Sequence, residues 1–261
     1  MFWIGSVMKV NCGGIIVQDL VPFMKNFQER VDLTLGEDPY LYKIITLRKG
    51  QDFIFEEAMR YCIYILEDNG AAIFINEISS RKDQFLIGYA NRLQIQSPGK
   101  ESTLLIAAQK DGLYRDPLCL IDIRDKNVKR VEKPWGYEIW LTGDPSRVFA
   151  FKKIFLKAGN KTSLQFHRQK RETNFIVHGE AKLHYYPDSS MAPEEISTEK
   201  IAKALIVGPS IVDVFPNHVH RLEAHKDLLL YEISTPELDD VIRISDDSGR
   251  GHGRIETEHI V

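Results

Sequence analysis

The chain has 261 residues, 43% of them hydrophobic, enough to bury one large core or two modest ones. Its 34 Lys and Arg against 37 Asp and Glu leave a net charge of −3, and with no long basic run this excludes a general attraction to nucleic acid. No apolar run approaches the roughly 18 residues of a membrane span, and the short apolar opening, residues 1–8, has no leading positive charge and makes a poor signal peptide.

In chain order, a first helix is expected over 21–31. Short runs rich in β-branched and aromatic residues follow at 41–47, 61–66, 71–75, 91–95 and 102–107, with a helical turn near 55–59. Asp68-Asn69-Gly70 reads as a hairpin turn. The polar stretch 126–133, ending at Pro134, reads as a linker. Beyond it strands are expected at 148–151, 153–156, 175–177, 181–185, 204–207, 211–215 and 228–233, with a second helix over 193–203. Many short strands separated by turns predict an all-β jelly-roll or barrel, which removes most exposed edges. Cys12, Cys62 and Cys119 are odd in number and scattered, as expected of reduced thiols in a soluble cytoplasmic protein.

All eight histidines lie at or after position 167. Gln165 and His167, two apart, share one face of a strand. Glu172 follows after a turn and heads the run 175–177, so a hairpin brings its carboxylate beside that pair. A distant strand supplies His220. Imidazole, carboxylate and amide oxygen make a mixed site for Zn, placed first, or for Mn, Fe, Co or Ni. His218 reads as a loop residue, His184 and His225 as exposed, and His252 and His259 as part of a polar tail.

Gly159, Gln165, His167, Glu172 and Gly179 stand at the spacing of the first motif of the cupin superfamily, and the chain resembles that superfamily. Gln at the first His position is similar to mannose-6-phosphate isomerase-like cupins, as are Lys133-Pro-Trp-Gly-Tyr137-Glu138, Ser163-Leu-Gln-Phe-His167, and Asp239-Asp-Val-Ile-Arg243 with Asp246-Asp-Ser-Gly249-Arg250. The likeness covers about residues 129 to 250. It departs at Arg168-Gln-Lys-Arg171, at Asn174, at Ser248, and at Pro216, where Asn217 or His218 takes the place of an expected Gly.

The resemblance implies a double-stranded β-helix with a divalent metal on Gln165, His167, Glu172 and His220. It implies aldose–ketose isomerisation of a sugar phosphate or nucleotide sugar through an enediol, in a homodimer. Residues 126–261 would be the metal-binding cupin, and residues 1–125, with the same rhythm but no histidine, a degenerate cupin without metal, giving two tandem barrels. An unrelated β-rich first domain is the alternative. Arg171, Arg221, Arg250 and Lys153 are candidates for phosphate, which guanidinium groups bind through paired hydrogen bonds. Asn174 and Ser163 share strand parity with Glu172 and Gln165 and are candidates for sugar hydroxyls. Lys153 and His178 are candidates for the catalytic base, and Arg250 is carried into the catalytic set by the terminal Gly-Arg motif. An iron-dependent cupin oxygenase and a non-catalytic sugar-binding or regulatory module are the competing functions.

Overall fold

The computed structural model describes residues 39–110, 115–142, 149–186 and 195–256, with the backbone of three short strands before them. Those strands are β1 (Asn11–Cys12), β2 (Ile15–Ile16) and β3 (Met24–Asn26). The first half continues with β4 (Leu41–Leu47), β5 (Gln51–Phe55), β6 (Met59–Glu67), β7 (Ile73–Ile75), β8 (Ile78–Ser80), β9 (Gln84–Ala90), β10 (Leu93–Ser97), β11 (Ser102–Gln109) and β12 (Cys119–Asp122). The second half holds β13 (Lys129–Lys133), β14 (Gly136–Trp140), β15 (Ala150–Leu156), β16 (Leu164–Phe166), β17 (Glu172–His178), β18 (Glu180–Tyr186), β19 (Ala202–Val207), β20 (Ser210–Val214), β21 (Val219–Ala224), β22 (Leu228–Ser234) and β23 (Ile242–Ser245).

Period-two alternation divides these strands among three cores. In the first half a four-stranded sheet, β5-β10-β7-β8, faces a five-stranded sheet, β12-β9-β6-β11-β4. Between them lie Ile63, Ile65, Leu86, Leu93, Ile95, Leu104 and Ile106. In the second half a seven-stranded sheet, β13-β14-β15-β22-β17-β20-β3, faces β19-β18-β21-β16-β23 across Ile154, Leu156, Ile176, Leu183, Val212 and Leu230. The two sandwiches join back to back. Tyr42, Cys62, Tyr64, Phe85 and Leu105 of the first meet Phe151, Phe175, Ile211, Tyr231 and Ile233 of the second.

Several expectations change. Met24–Asn26, inside the expected first helix, is a strand paired with β20, and the rest of 21–31 lies outside the described residues. No helical turn forms at 55–59, where β5 ends at Phe55 and β6 begins at Met59. Of the expected helix over 193–203 the described residues hold 3-10 structure at Glu195 and at Thr198–Lys200, the latter capped by the Ser197 side chain. Residues 193 and 194 lie outside the described residues, and Ile196 and Ile201 are buried on either side of the turn. Asn69 and Gly70 do take positive φ, +47° and +79°, but the turn carries the chain from one sheet to the other instead of closing a hairpin. The polar stretch read as a linker forms β13. Its Val131 is buried and its charged neighbours face out, the pattern of an edge strand.

Candidate metal centre and its cavity

β16 and β21 lie side by side with Gln165 directly opposite His220, so both side chains project from one face. Phe166 and Leu164, of the other parity, are buried in a small apolar cluster that anchors β16. The turn 168–171 then returns the chain into β17, whose Glu172, Asn174 and Ile176 face inward while Thr173 and Phe175 face the first sandwich. Asn217, at φ +62°, supplies the left-handed turn that a Gly was expected to supply, and its N–H donates to His167 O at 2.6 Å. Gly179 ends β17 at φ +106°. A Cβ there would stand 2.2 Å from Asp227 O, so the motif glycine is sterically required.

These elements bring His167, Glu172 and His220 together, with one ligand atom from each inside a 4.8 Å cluster. Glu172 Oε1 lies 3.1 Å from His167 Nε2, and Oε2 lies 3.5 Å from His220 Nε2. Each imidazole has its Nδ1 against a backbone carbonyl, His167 against Asp240 O and His220 against His218 O at 3.1 Å. A carbonyl only accepts, so Nδ1 carries the proton and Nε2 is turned to the carboxylate. Burial, opposed by the Glu172 charge, lowers the His220 pKa to about 4, so that ring is neutral near pH 7. His167 Nε2, fully buried, has no hydrogen-bond partner. Acceptors that converge in this way call for a cation, and imidazole nitrogens with a carboxylate are the donor set of Zn, Mn or Fe. The residues therefore fit a divalent metal.

A cavity of about 130 Å³ opens beside the cluster. At about 30 Å³ per water, that is room for about four waters. Its floor is a cross-strand row, Trp140–Lys152–Glu232–Asn174–Val212, running over five adjacent strands. Lys170 Nζ bridges Glu172 Oε1 and Glu232 Oε1, the latter at 3.0 Å, and Lys152 Nζ lies 3.9 Å from the same Glu232 atom. Lys152 and Lys133 also flank Glu138, at 3.5 and 3.8 Å, and Trp140 Nε1 donates to that carboxylate at 3.0 Å. Burial alone would raise both carboxyls. Lys152 and Lys133 outweigh it and lower Glu138 to about 2, while Lys170 and the two histidines hold Glu172 well below its ordinary value.

Of the residues singled out from the sequence, Gln165, Glu172, His220, Asn174, Ser163 and Arg250 line the cavity, and His167 lies behind it. Ser163 Oγ is engaged already: Arg243 Nε and Arg250 Nη2 donate to it, and it donates to Asp246 Oδ2 at 2.7 Å. Four residues stand elsewhere. Lys153 has the wrong parity and contacts Tyr64 and Asp83 between the sandwiches. His178 is exposed at the end of β17. Arg171 lies over Phe215 and Tyr40. Arg221 pins the strand ends, donating to Thr162 O and Ser245 O. His184, expected to be exposed, is half-buried and hydrogen-bonded to Glu223, and His218, buried, contacts Tyr185 Oη. His259 lies outside the described residues.

From the sequence, Lys152, Lys170 and Glu232 had no assigned role, and Lys133 and Glu138 stood only as the ends of a motif. The signal for Lys152 and Glu232 was parity: they stand two residues from Ile154 and Leu230, both in the inner core.

Among solved structures, the chain is similar to an IolB-like protein from Salmonella typhimurium LT2, with TM-score 0.56 and 11% identity over 84% of this chain and 88% of that one. It is similar to vicilin from hazelnut, Corylus avellana, with TM-score 0.53 and 9% identity over 81% and 79%. A third likeness is to Bacillus subtilis oxalate decarboxylase, described with Mn(II) centres, with TM-score 0.51 and 10% identity over 74% and 68%. The fold is that of the cupins. Each match spans about three quarters of the chain or more, and at such identities the likeness speaks for this double-stranded β-helix architecture alone. No protein-family model matches the chain, and no curated protein matches it in sequence.

Proposed function

We propose that the protein is a metal-dependent isomerase or epimerase of a phosphorylated or nucleotide-linked sugar, with Gln165, His167, Glu172 and His220 holding the ion. The observation that carries this reading is the cluster of His167, Glu172 and His220 beside a cavity whose floor sets lysine and glutamate next to tryptophan. When bound, the ion supplies Lewis acidity to a carbonyl or hydroxyl oxygen. The chain's own groups do the rest. Lys152 and Lys170 donate to substrate oxygens, Asn174 serves a hydroxyl, and Trp135 lends the cavity an apolar wall, while the Trp140 ring is taken by the Lys129 and Lys152 ammoniums and steadies the lysine. Both lysine contacts of Glu232 fall on Oε1, and we assign its carboxylate to take and return the proton beside the substrate carbonyl, between C1 and C2 where the substrate is a sugar phosphate with a free anomeric carbon. We assign the anionic substituent to the wall that Arg250 and Arg243 line, where the two guanidinium groups are held by Ser163 and, for Arg250, by Asp246.

We read the first sandwich, β4 to β12, as a second cupin unit filled with apolar side chains, which is why it holds no comparable cluster among the described residues; the expected boundary at 125 is crossed by β3, which joins the second sandwich. Exposed Leu205 and Val207 on β19 support a homodimer, and the free thiols of Cys62 and Cys119 support a reducing, cytoplasmic setting.

The test is NMR detection of deuterium exchange at C2 in a panel of hexose 6-phosphates and nucleotide sugars, with Mn²⁺- or Zn²⁺-loaded protein in heavy water. Exchange or new ketose signals with one sugar, lost in Glu232→Gln, is the expected result. Silence across a metal-loaded panel would overturn the isomerase reading.

A further inference from the structure

His167 and Glu172 stand at the two ends of a turn with no regular secondary structure, residues 168–171, so their separation depends on whatever holds that turn. One residue on the segment after β22 holds nearly all of it. The Asp240 carboxylate accepts the backbone N–H of Arg168 on Oδ1 at 3.1 Å, and those of Gln169 and Lys170 on Oδ2 at 2.6 and 3.0 Å. Its carbonyl accepts His167 Nδ1–H, which fixes the tautomer that turns Nε2 to the site. The remaining turn residue, Arg171, exchanges hydrogen bonds with Thr235, its N–H donating to Oγ1 at 3.1 Å and its carbonyl accepting the Thr235 N–H at 3.0 Å. Three successive amides converging on one anion form a nest, and here the anion is built into the chain. Burial would raise the Asp240 carboxyl, but those amides hold it below the ordinary aspartate range.

We propose that Asp240 is the positioning residue of the metal centre: its carboxylate sets the distance between His167 and Glu172, and its carbonyl sets the His167 tautomer. The proposal rests on the metal reading above. Asp240 touches neither substrate nor ion and acts through the turn, so its removal should loosen the ion's grip while the sandwich stays folded.

The test is calorimetric titration of purified full-length protein with Mn²⁺ alone, with circular dichroism and metal-free thermal unfolding run in parallel, and electron paramagnetic resonance of the bound ion. Asp240→Ala is expected to bind Mn²⁺ about 10- to 100-fold more weakly than the parent, the range for groups that orient metal ligands. Asp240→Asn, which keeps one acceptor oxygen, should fall between them, and both should broaden or shift the Mn²⁺ spectrum. Asp213→Ala is the control. Asp213 accepts Tyr42 Oη–H and Thr173 Oγ1–H on the far face of the same sheet, so its loss should lower the melting temperature and leave Mn²⁺ affinity unchanged. If Asp240→Ala does not fold, the Asp240→Asn affinity decides. Parental affinity in Asp240→Asn and in any folded Asp240→Ala, with one Mn²⁺ bound by the parent, overturns the role of Asp240 and leaves the metal reading standing. A parent that binds no Mn²⁺ or Zn²⁺ overturns both.

Discussion

Lys170 sits almost fully buried between two carboxylates, Glu172 and Glu232. Burial alone would push its proton off, yet the two carboxylates outweigh that and hold the ammonium well above the ordinary lysine range. In the metal-free protein it is therefore the counter-charge that lets Glu172 remain ionised away from water. Removing one partner of a buried ion pair costs about 3–5 kcal/mol, because the other charge is left uncompensated. Lys170→Met should accordingly lower the melting temperature of metal-free protein, on the order of 10 °C for a chain of this size. A divalent ion at the same carboxylate restores the missing charge, so Mn²⁺ should raise the melting temperature of the variant more than that of the parent. Thermal unfolding with and without Mn²⁺ reads both effects. Coincident metal-free transitions would show that the ammonium is not the counter-charge.

The elements show what strand periodicity can and cannot reveal. Runs that are apolar on both faces, such as 41–47 and 228–233, are buried by sheets on either side and were readable as strands. Strands with one wet face, such as β13 and β23, look polar in sequence and escaped notice. The histidines were legible because histidine is rare in this chain, and Glu172 because its spacing from them matches a motif. The lysine–glutamate floor was not, because such residues are common and only the parity of their apolar neighbours marks them as inward. β15 is the clearest case: Phe151 packs toward the first sandwich while Lys152 and Ile154 face the cavity, so moving one residue from Lys152 to Lys153 changes the face. Lys153→Met should cost about 1–3 kcal/mol through its lost contacts with Tyr64 and Asp83, and leave Mn²⁺ affinity and C2 exchange unchanged. Lys152→Met should do the reverse where it counts, abolishing exchange with metal still bound. Exchange rates and Mn²⁺ titrations on the two variants separate the faces, and equal loss of exchange in both would contradict the assignment.

Across the whole molecule the junction between the sandwiches resembles a third core more than a domain interface. Domains in one chain move independently unless the surface they share is large and apolar. Here the shared layer buries Tyr42, Tyr64, Phe85 and Leu105 against Phe151, Phe175, Tyr231 and Ile233, with Tyr42 Oη hydrogen-bonded to Asp213 across it. The strands that form one wall of the metal cavity, β15, β17 and β22, are the strands whose other faces make this junction. Stability in the first sandwich is therefore transmitted to the backbone that positions Glu172 and Glu232. Scanning calorimetry should show one cooperative transition with equal calorimetric and van 't Hoff enthalpies. Mn²⁺ should move that whole transition upward by linkage, although its site lies in the second sandwich alone. Leu105→Asp, which buries a charge in the junction far from the cavity, should lower the single transition without splitting it. Two resolved transitions, of which Mn²⁺ shifts only the later, would mean that the first sandwich folds on its own account and lends the site nothing.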